Sequence, residues 1–145
     1  MKVVCFHNPN EENGYLSNWY MSSFVMDNIT FSSMEQYMMY QKAKAFGDYK
    51  IATQILETQD VAYIKTLGRL VSGYDDHYWN GIRQIIVYEG LKEKFSQNTE
   101  LKKMLTETGS AVLAECAVKD RIWGIGLSMN DPDRFDRSKW LGQNL

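Results

Sequence analysis

Two charged residues, Glu35 and Lys42, stand seven positions apart in the run Ser33-Met34-Glu35-Gln36-Tyr37-Met38-Met39-Tyr40-Gln41-Lys42-Ala43. If that run is helical, seven residues nearly complete two turns, and both side chains leave one stripe about 10 Å apart along the axis. At that spacing they form no direct i,i+4 pair, but they can line the two ends of one pocket. A carboxylate and an amine so placed can act as general base and as charge stabiliser or nucleophile. The plainer alternative is a solvated helix face. Glu35 also falls in the first turn, where a carboxylate complements the helix dipole without any catalytic duty.

A second set of residues lies in Asp120-Arg121-Ile122-Trp123-Gly124-Ile125-Gly126. A flat ring beside a carboxylate suits a nitrogen heterocycle, and Gly124 and Gly126 permit close backbone approach or positive φ. Trp79, in Asp76-His77-Tyr78-Trp79-Asn80, offers another ring, although packing in a core is the commoner use of tryptophan. Arg69, after Gly68, can pair with a phosphate through its guanidinium or simply end a helix. Other chemistries find less support. Gly124-Ile125-Gly126 lacks the third glycine of a dinucleotide fingerprint, and no helix clearly follows it. There is no GxSxG run, and two histidines make a Ser-His-Asp triad improbable. Cys116, in Leu113-Ala114-Glu115-Cys116-Ala117, reads as an inert core thiol on a buried strand.

The chain of 145 residues, 44% hydrophobic and 23% charged, suits one globular domain with a conventional core. A formal charge of −2 argues against a broad grip on DNA or RNA, which needs many Lys and Arg contacts to phosphate. It leaves room for a nucleotide-sized ligand at a local basic spot. Cys5 and Cys116 lack any CxxC spacing, so neither a disulfide framework nor a zinc site is suggested. With only His7 and His77 besides, no metal and no cofactor is expected. No apolar run approaches the roughly 20 residues that span a bilayer, and the N-terminus lacks the apolar length of a signal peptide. The expectation is a cytoplasmic protein that makes no use of a membrane.

These residues need elements to position them. Lys2 to Phe6 reads as a strand, and Phe24 to Phe31 as a hairpin turning at Asp27-Asn28. Ser33 with Gln36 fits a capping box, so a helix starts there, running through Phe46 to stop at Gly47. Asp48 and Asp60 sit where N-caps would open two more helices. Asp76 to Phe95 is the longest helical candidate, with Ile82, Ile85, Ile86, Tyr88, Leu91 and Phe95 on its apolar face. A short helix over Thr99–Thr106 follows. Ala111 to Cys116 and Ile122 to Leu127 read as strands. The whole reads as a mainly helical α+β single domain over residues 1–145, with a small, mostly antiparallel sheet packed by helices.

Taken together, the motifs resemble the NADAR (YbiA-like) family along nearly the whole chain. The matching stretches are Tyr15-Leu16-Ser17-Asn18-Trp19, Ser33 to Ala43, Leu67-Gly68-Arg69, Trp79-Asn80, Lys94-Phe95-Ser96-Gln97-Asn98, Asp120 to Gly124, and Trp140-Leu141-Gly142-Gln143-Asn144. The resemblance implies hydrolysis of an N-glycosidic bond between ribose and a nitrogen heterocycle. Its implied substrates are small nucleotide-like molecules, the ribosylamino-pyrimidine phosphates of early riboflavin biosynthesis, or ADP-ribosylated guanine in nucleic acid. Apart from such a ligand, no membrane and no obligate protein partner is expected. By resemblance Glu35, Trp79, Asp120 and Trp123 match active-site positions, while Asn18 and Lys42 fall in equally characteristic motifs. Glu35, Lys42, Trp79, Asp120 and Trp123 are expected to converge on one pocket.

That resemblance carries a mechanism with open alternatives. Glu35 or Asp120 would serve as base and electrostatic partner of the sugar, by analogy with glycosidase carboxylates. Trp79 and Trp123 would stack on the heterocycle beside Gly124, with Asn18 in the substrate site and Arg69 on phosphate. Lys42 would stabilise charge as an ammonium, or attack C1 of a ring-opened ribose as an amine. A module that binds ADP-ribose without cutting it is the competing class, and a defence component acting on modified DNA is a third. In one respect the chain departs from the pattern. It ends at Gly142-Gln143-Asn144-Leu145, where many relatives continue with a glycine and an apolar helix, so a C-terminal helix is expected to be lacking.

Overall fold

Ser33 is where extended chain becomes helix, and its hydroxyl explains why. In the computed structural model, which describes residues 1–145, the Gln36 N–H donates to Ser33 Oγ at 3.1 Å and caps helix α1, Met34–Ala45. The partner half of the expected capping box lands one residue earlier. Gln36 Oε1 accepts from the Ser32 N–H at 2.7 Å and from Ser32 Oγ at 3.0 Å. Its Nε2 donates to the carbonyls of Ile55 at 3.1 Å and Thr58 at 2.9 Å. One buried amide thus joins a strand, a helix start and the end of the next helix.

The chain divides into two compact units, residues 21–99 and residues 1–20 with 100–145. The first of these opens with strands β2, Met21–Met26, and β3, Ile29–Ser33, paired antiparallel. Asp27 and Asn28 adopt the left-handed conformation that the tight hairpin requires, with φ of 52° and 64°. Phe24 and Phe31 point from the hairpin onto Tyr37 of α1, with ring centroids 5.7 and 5.3 Å away. Helices α2, Tyr49–Leu56, and α3, Val61–Arg69, are capped by Asp48 and Asp60 as their positions predict.

Helix α4, Asp76–Gln97, is capped by Asp75, and its buried face overlaps only in part with the one its bulky apolar residues suggest: Phe95 is buried and Ile82, Ile86 and Leu91 are half-buried. Trp79, Arg83, Val87, Gly90, Lys94 and Phe95 are buried, whereas Ile85 and Tyr88 are exposed. Tyr37 accounts for this choice. Its hydroxyl donates to the Ile86 carbonyl at 2.9 Å, and its ring lies where a Cβ at Gly90 would be 2.3 Å away. A glycine is therefore needed on the packed side, and the stripe that follows it carries Lys94. Burial lowers the Lys94 ammonium to about 7.

In the other unit β1, Val3–Phe6, lies parallel to β4, Val112–Glu115, in the register Val3 to Val112 through Phe6 to Glu115. Helix α5, Thr99–Glu107, precedes β4 and supplies Glu100 to Glu107 to this unit. The small core here is Cys5, Ala114, Cys116 and Ile125, with Trp140 packed against it. Ile122 to Leu127 does not form the expected strand. Its groups bond to the end of β4 and to the C-terminal segment: the Ile125 N–H donates to the Glu115 carbonyl, and the Ile125 carbonyl accepts from Leu141 and Gly142, all at 2.8 Å. Beside β4 the Asn144 amide takes a strand's place, accepting from the Glu115 N–H at 3.0 Å and donating to the Leu113 carbonyl at 2.8 Å.

The architecture is α+β and mainly helical, with five helices. Its strands form two separate pairs, one antiparallel and one parallel.

Gln36 generates the stability prediction. Gln36→Ala strips four hydrogen bonds from buried groups and is expected to cost about 2–4 kcal/mol, since orphaned buried donors and acceptors are penalised individually. Urea denaturation followed by circular dichroism measures the loss.

Candidate active site

Within residues 21–99, α1 runs from the interior toward the surface. Glu35, in its first turn, is only 4% exposed. Lys42, two turns on, is half-buried. The two interact electrostatically as the shared stripe requires, and neighbouring elements contribute further charge. Burial is the largest influence on the Lys42 amine and lowers it from the ordinary lysine range. Glu35 opposes that shift, Arg69 reinforces it, and Asp76 opposes it. Arg69 is the last residue of α3 and is exposed, so it closes the helix while leaving its guanidinium available.

Tyr74, just before α4, and Asp76, its first residue, also neighbour Lys42. Lys42 Nζ sits 4.5 Å from the centroid of the Tyr74 ring. The Tyr74 hydroxyl donates to Asp76 Oδ1 at 2.7 Å, and Asn80 Nδ2 donates to Asp76 Oδ2 at 3.2 Å. Asn80 Oδ1 in turn accepts from Arg83. Burial and the Asp76 carboxylate push the Tyr74 phenol up to about 12, so it remains a donor. Trp79 lies one turn beyond Asp76 and is 6% exposed, so it has little ring face to offer a ligand. Glu35, Lys42 and Arg69 are brought together here. Tyr74 and Asp76, which the sequence reading did not single out, join them.

Within residues 1–20 and 100–145 the other candidates occupy turns. Asn18 is half-buried in the turn after Gly14–Leu16, a turn held by the Trp19 N–H donating to Ser17 Oγ at 3.1 Å. Asp120 Oδ1 accepts from the N–H groups of Ile122 at 2.9 Å and Trp123 at 3.0 Å. One carboxylate oxygen is therefore spent on turning the chain and holding the Trp123 backbone. Trp123 is half-buried. Gly124 is buried where a Cβ would lie 2.6 Å from the Asp120 carbonyl, so its absence of a side chain keeps this turn closed.

Glu115 interacts electrostatically with Asp120, and neither it nor its partner His7 was anticipated. His7 Nδ1 lies 2.9 Å from Glu115 Oε1. Burial raises the Glu115 carboxyl, the His7 contacts oppose that shift, and Asp120 adds to it. The available signal was a lone charge in the apolar run Val112 to Cys116.

Asp120 holds a turn and carries a charge, and two substitutions separate these roles. Asp120→Asn keeps a side-chain oxygen for the turn and is expected to leave the melting temperature nearly unchanged while lowering activity. Asp120→Ala loses both and is expected to cost about 0.5–2 kcal/mol of stability as well, the scale of a lost capping acceptor. Thermal melts and rates measured on the same preparations distinguish them.

The arrangement around Lys42 offers a half-buried amine, two carboxylates and a guanidinium, a set able to exchange protons and hold an anion. No three His, Cys, Asp or Glu side chains gather as metal ligands. No helix is long and apolar enough to cross a membrane.

Comparison with known proteins agrees with this fold. An N-glycosidase of Acanthamoeba polyphaga mimivirus is 38% identical over 152 aligned positions, covering 99% of this chain and 89% of that one. A riboflavin biosynthesis protein of Vibrio vulnificus (strain YJ016) is 33% identical over 123 positions, which cover 85% of this chain but only 33% of that protein. The NMR structure of the Escherichia coli protein YbiA superposes with a TM-score of 0.76 at 26% identity, covering 86% of this chain and 73% of that one. The NADAR domain model matches residues 5–145, and with that match the chain belongs to the NADAR family, as its motifs implied.

Proposed function

We propose that this protein is an N-glycosidase that hydrolyses the C–N bond between ribose and a nitrogen heterocycle. Relatives named as N-glycosidases and as a riboflavin biosynthesis protein support this reading. The observation that carries it is the half-buried Lys42 amine, which interacts with Glu35, Arg69 and Asp76. The substrate class is ribosylamino-pyrimidine phosphate or ADP-ribosylated guanine. Both carry anionic phosphate, for which Arg69, exposed and interacting with Lys42, is an available cation. The reaction is assigned to the cytoplasm, where the free thiols Cys5 and Cys116 remain reduced.

Lys42 acts as an amine in this scheme. Burial gives it a larger neutral fraction at a given pH than an exposed lysine has. A ribosylamine opens to a C1 imine; the neutral Lys42 nitrogen adds to C1, and its two protons pass in turn, by way of Glu35, to the departing nitrogen. The C1 bond to that nitrogen breaks, freeing the heterocyclic amine and leaving a lysine imine. Water adds to the imine, the C1 bond to Lys42 breaks, and the released aldehyde closes to ribose. Glu35 is the base that carries the proton between these steps. Asn18, Asp120, Trp123 and Gly124 enter as substrate and charge partners through the family resemblance. Trp79 enters through the same resemblance, with its ring buried.

A product assay with both substrate classes tests the activity directly; release of free base from neither would leave a nucleotide-binding module as the better reading. Glu35→Gln keeps size and hydrogen bonding but removes the charge, and is expected to lower turnover at least about 10²-fold with the fold intact.

Borohydride added during turnover should reduce the imine and leave a ribose-derived adduct on Lys42, seen by peptide mass spectrometry. Lys42→Arg should abolish turnover, because a guanidinium keeps charge but cannot form an imine. Partial activity in Lys42→Arg without an adduct would assign Lys42 to charge stabilisation instead.

A further inference from the structure

We propose that Tyr74 is a positioning residue for Lys42: its ring, anchored through the hydroxyl to Asp76, holds the Lys42 amine in place and favours its protonated form. The inference rests on the reading that Lys42 takes part in the reaction. Tyr74 is 43% exposed, so core packing does not explain its placement. Three contacts fix it. Lys42 Nζ lies 4.5 Å from the ring centroid. Phe46 meets the ring at an interplanar angle of 67°, with centroids 5.4 Å apart. The hydroxyl donates to Asp76 Oδ1 at 2.7 Å.

The geometry has a simple logic. Lys42 and Phe46 are four residues apart, one helical turn, so both reach the same place from α1. Tyr74 receives the first over a ring face and the second edge-on, which limits where either side chain can move. An ammonium over a ring face is attracted by the ring quadrupole. That attraction joins the carboxylates of Glu35 and Asp76 in favouring the proton, against burial and the Arg69 guanidinium. These groups from α1, α3 and α4, with the Tyr74 ring, are the charged and polar neighbours that set the state of the amine. Asp76 acts twice, as a charge near Lys42 and as the acceptor that prevents Tyr74 from turning away.

Competitive labelling of the full chain with trace acetic anhydride, read peptide by peptide in a mass spectrometer, titrates Lys42 individually. Tyr74→Leu keeps apolar bulk, and hence most of the burial, while removing the ring's attraction for an ammonium. The Lys42 midpoint is expected to fall by about half a pH unit, the scale of a partly exposed cation–π contact. Tyr74→Phe keeps the ring and its Phe46 contact but loses the Asp76 anchor, and should restore part of that fall. An unchanged midpoint in Tyr74→Leu would overturn the role of the ring, and a Tyr74→Phe midpoint equal to that of the unaltered protein would overturn the role of the hydroxyl anchor. The acid limb of the kcat/KM profile should move down with the labelling midpoint. A labelling shift with an unmoved rate profile would support the positioning role and overturn the amine role of Lys42.

Discussion

Helix α1 must be buried at one end and emerge at the other, and much of the 21–99 unit follows from that constraint. Residues Met34 to Met39 are all buried, Tyr40 to Lys42 are half-buried, and Lys44 and Ala45 are exposed. An interior helix start is costly because its first N–H groups have no partners within the helix. Ser33 supplies one acceptor, and Gln36 compensates more widely by bonding Ser32, Ile55 and Thr58. The polar hub stabilises the fold and also fixes the direction of α1. Glu35 is thereby held in the interior while Lys42 reaches the margin, so the two meet different dielectric surroundings on one stripe.

Tyr37 extends the same constraint to α4. Its ring packs on Phe24 and Phe31, its hydroxyl bonds the Ile86 carbonyl, and Gly90 makes room for it. Once Tyr37 selects that side of α4, the rest of the helix follows in rotation. The start of α4 then presents Asp76 and Asn80, and the segment before it presents Tyr74. A core contact therefore determines which polar residues stand near Lys42.

Local chemistry made part of this legible. Ser33, Asp48 and Asp60 cap helices where they stand because a short acceptor before a helical run has few better conformations, and Asp27-Asn28 tolerate the left-handed turn for a similar local reason. Glu35 and Lys42 could be grouped from helical spacing and family motifs, whereas Arg69 reads from sequence only as a separate phosphate ligand. The face of α4 could not, because periodicity weighs Ile85 and Tyr88 as apolar while the contact with Tyr37 requires a glycine. Ile122 to Leu127 reads as a strand by composition, yet strand pairing is a non-local matter, and the Asp120 turn bends the chain away from a ladder. Tyr74 was missed because nothing in its own neighbourhood reveals Lys42 and Phe46, which lie about thirty residues earlier.

The balance of charge around Lys42 bears on whether the domain cuts or only binds. A site built to retain a phosphate-bearing ligand gains from Arg69 and from an ammonium at Lys42, and it loses from every carboxylate nearby, since like charges repel. Glu35 is nonetheless almost fully buried, and burying a carboxylate carries a desolvation penalty. Helix-dipole complementarity alone would be served as well by an exposed first-turn carboxylate. An interior one that interacts with an amine does something exposure would not allow. In a low-dielectric setting, each proton transferred between the two changes both charges at once, and the energy of that change is larger than in water. Such a pair suits a reaction in which a nitrogen must lose a proton to attack and another must gain one to leave.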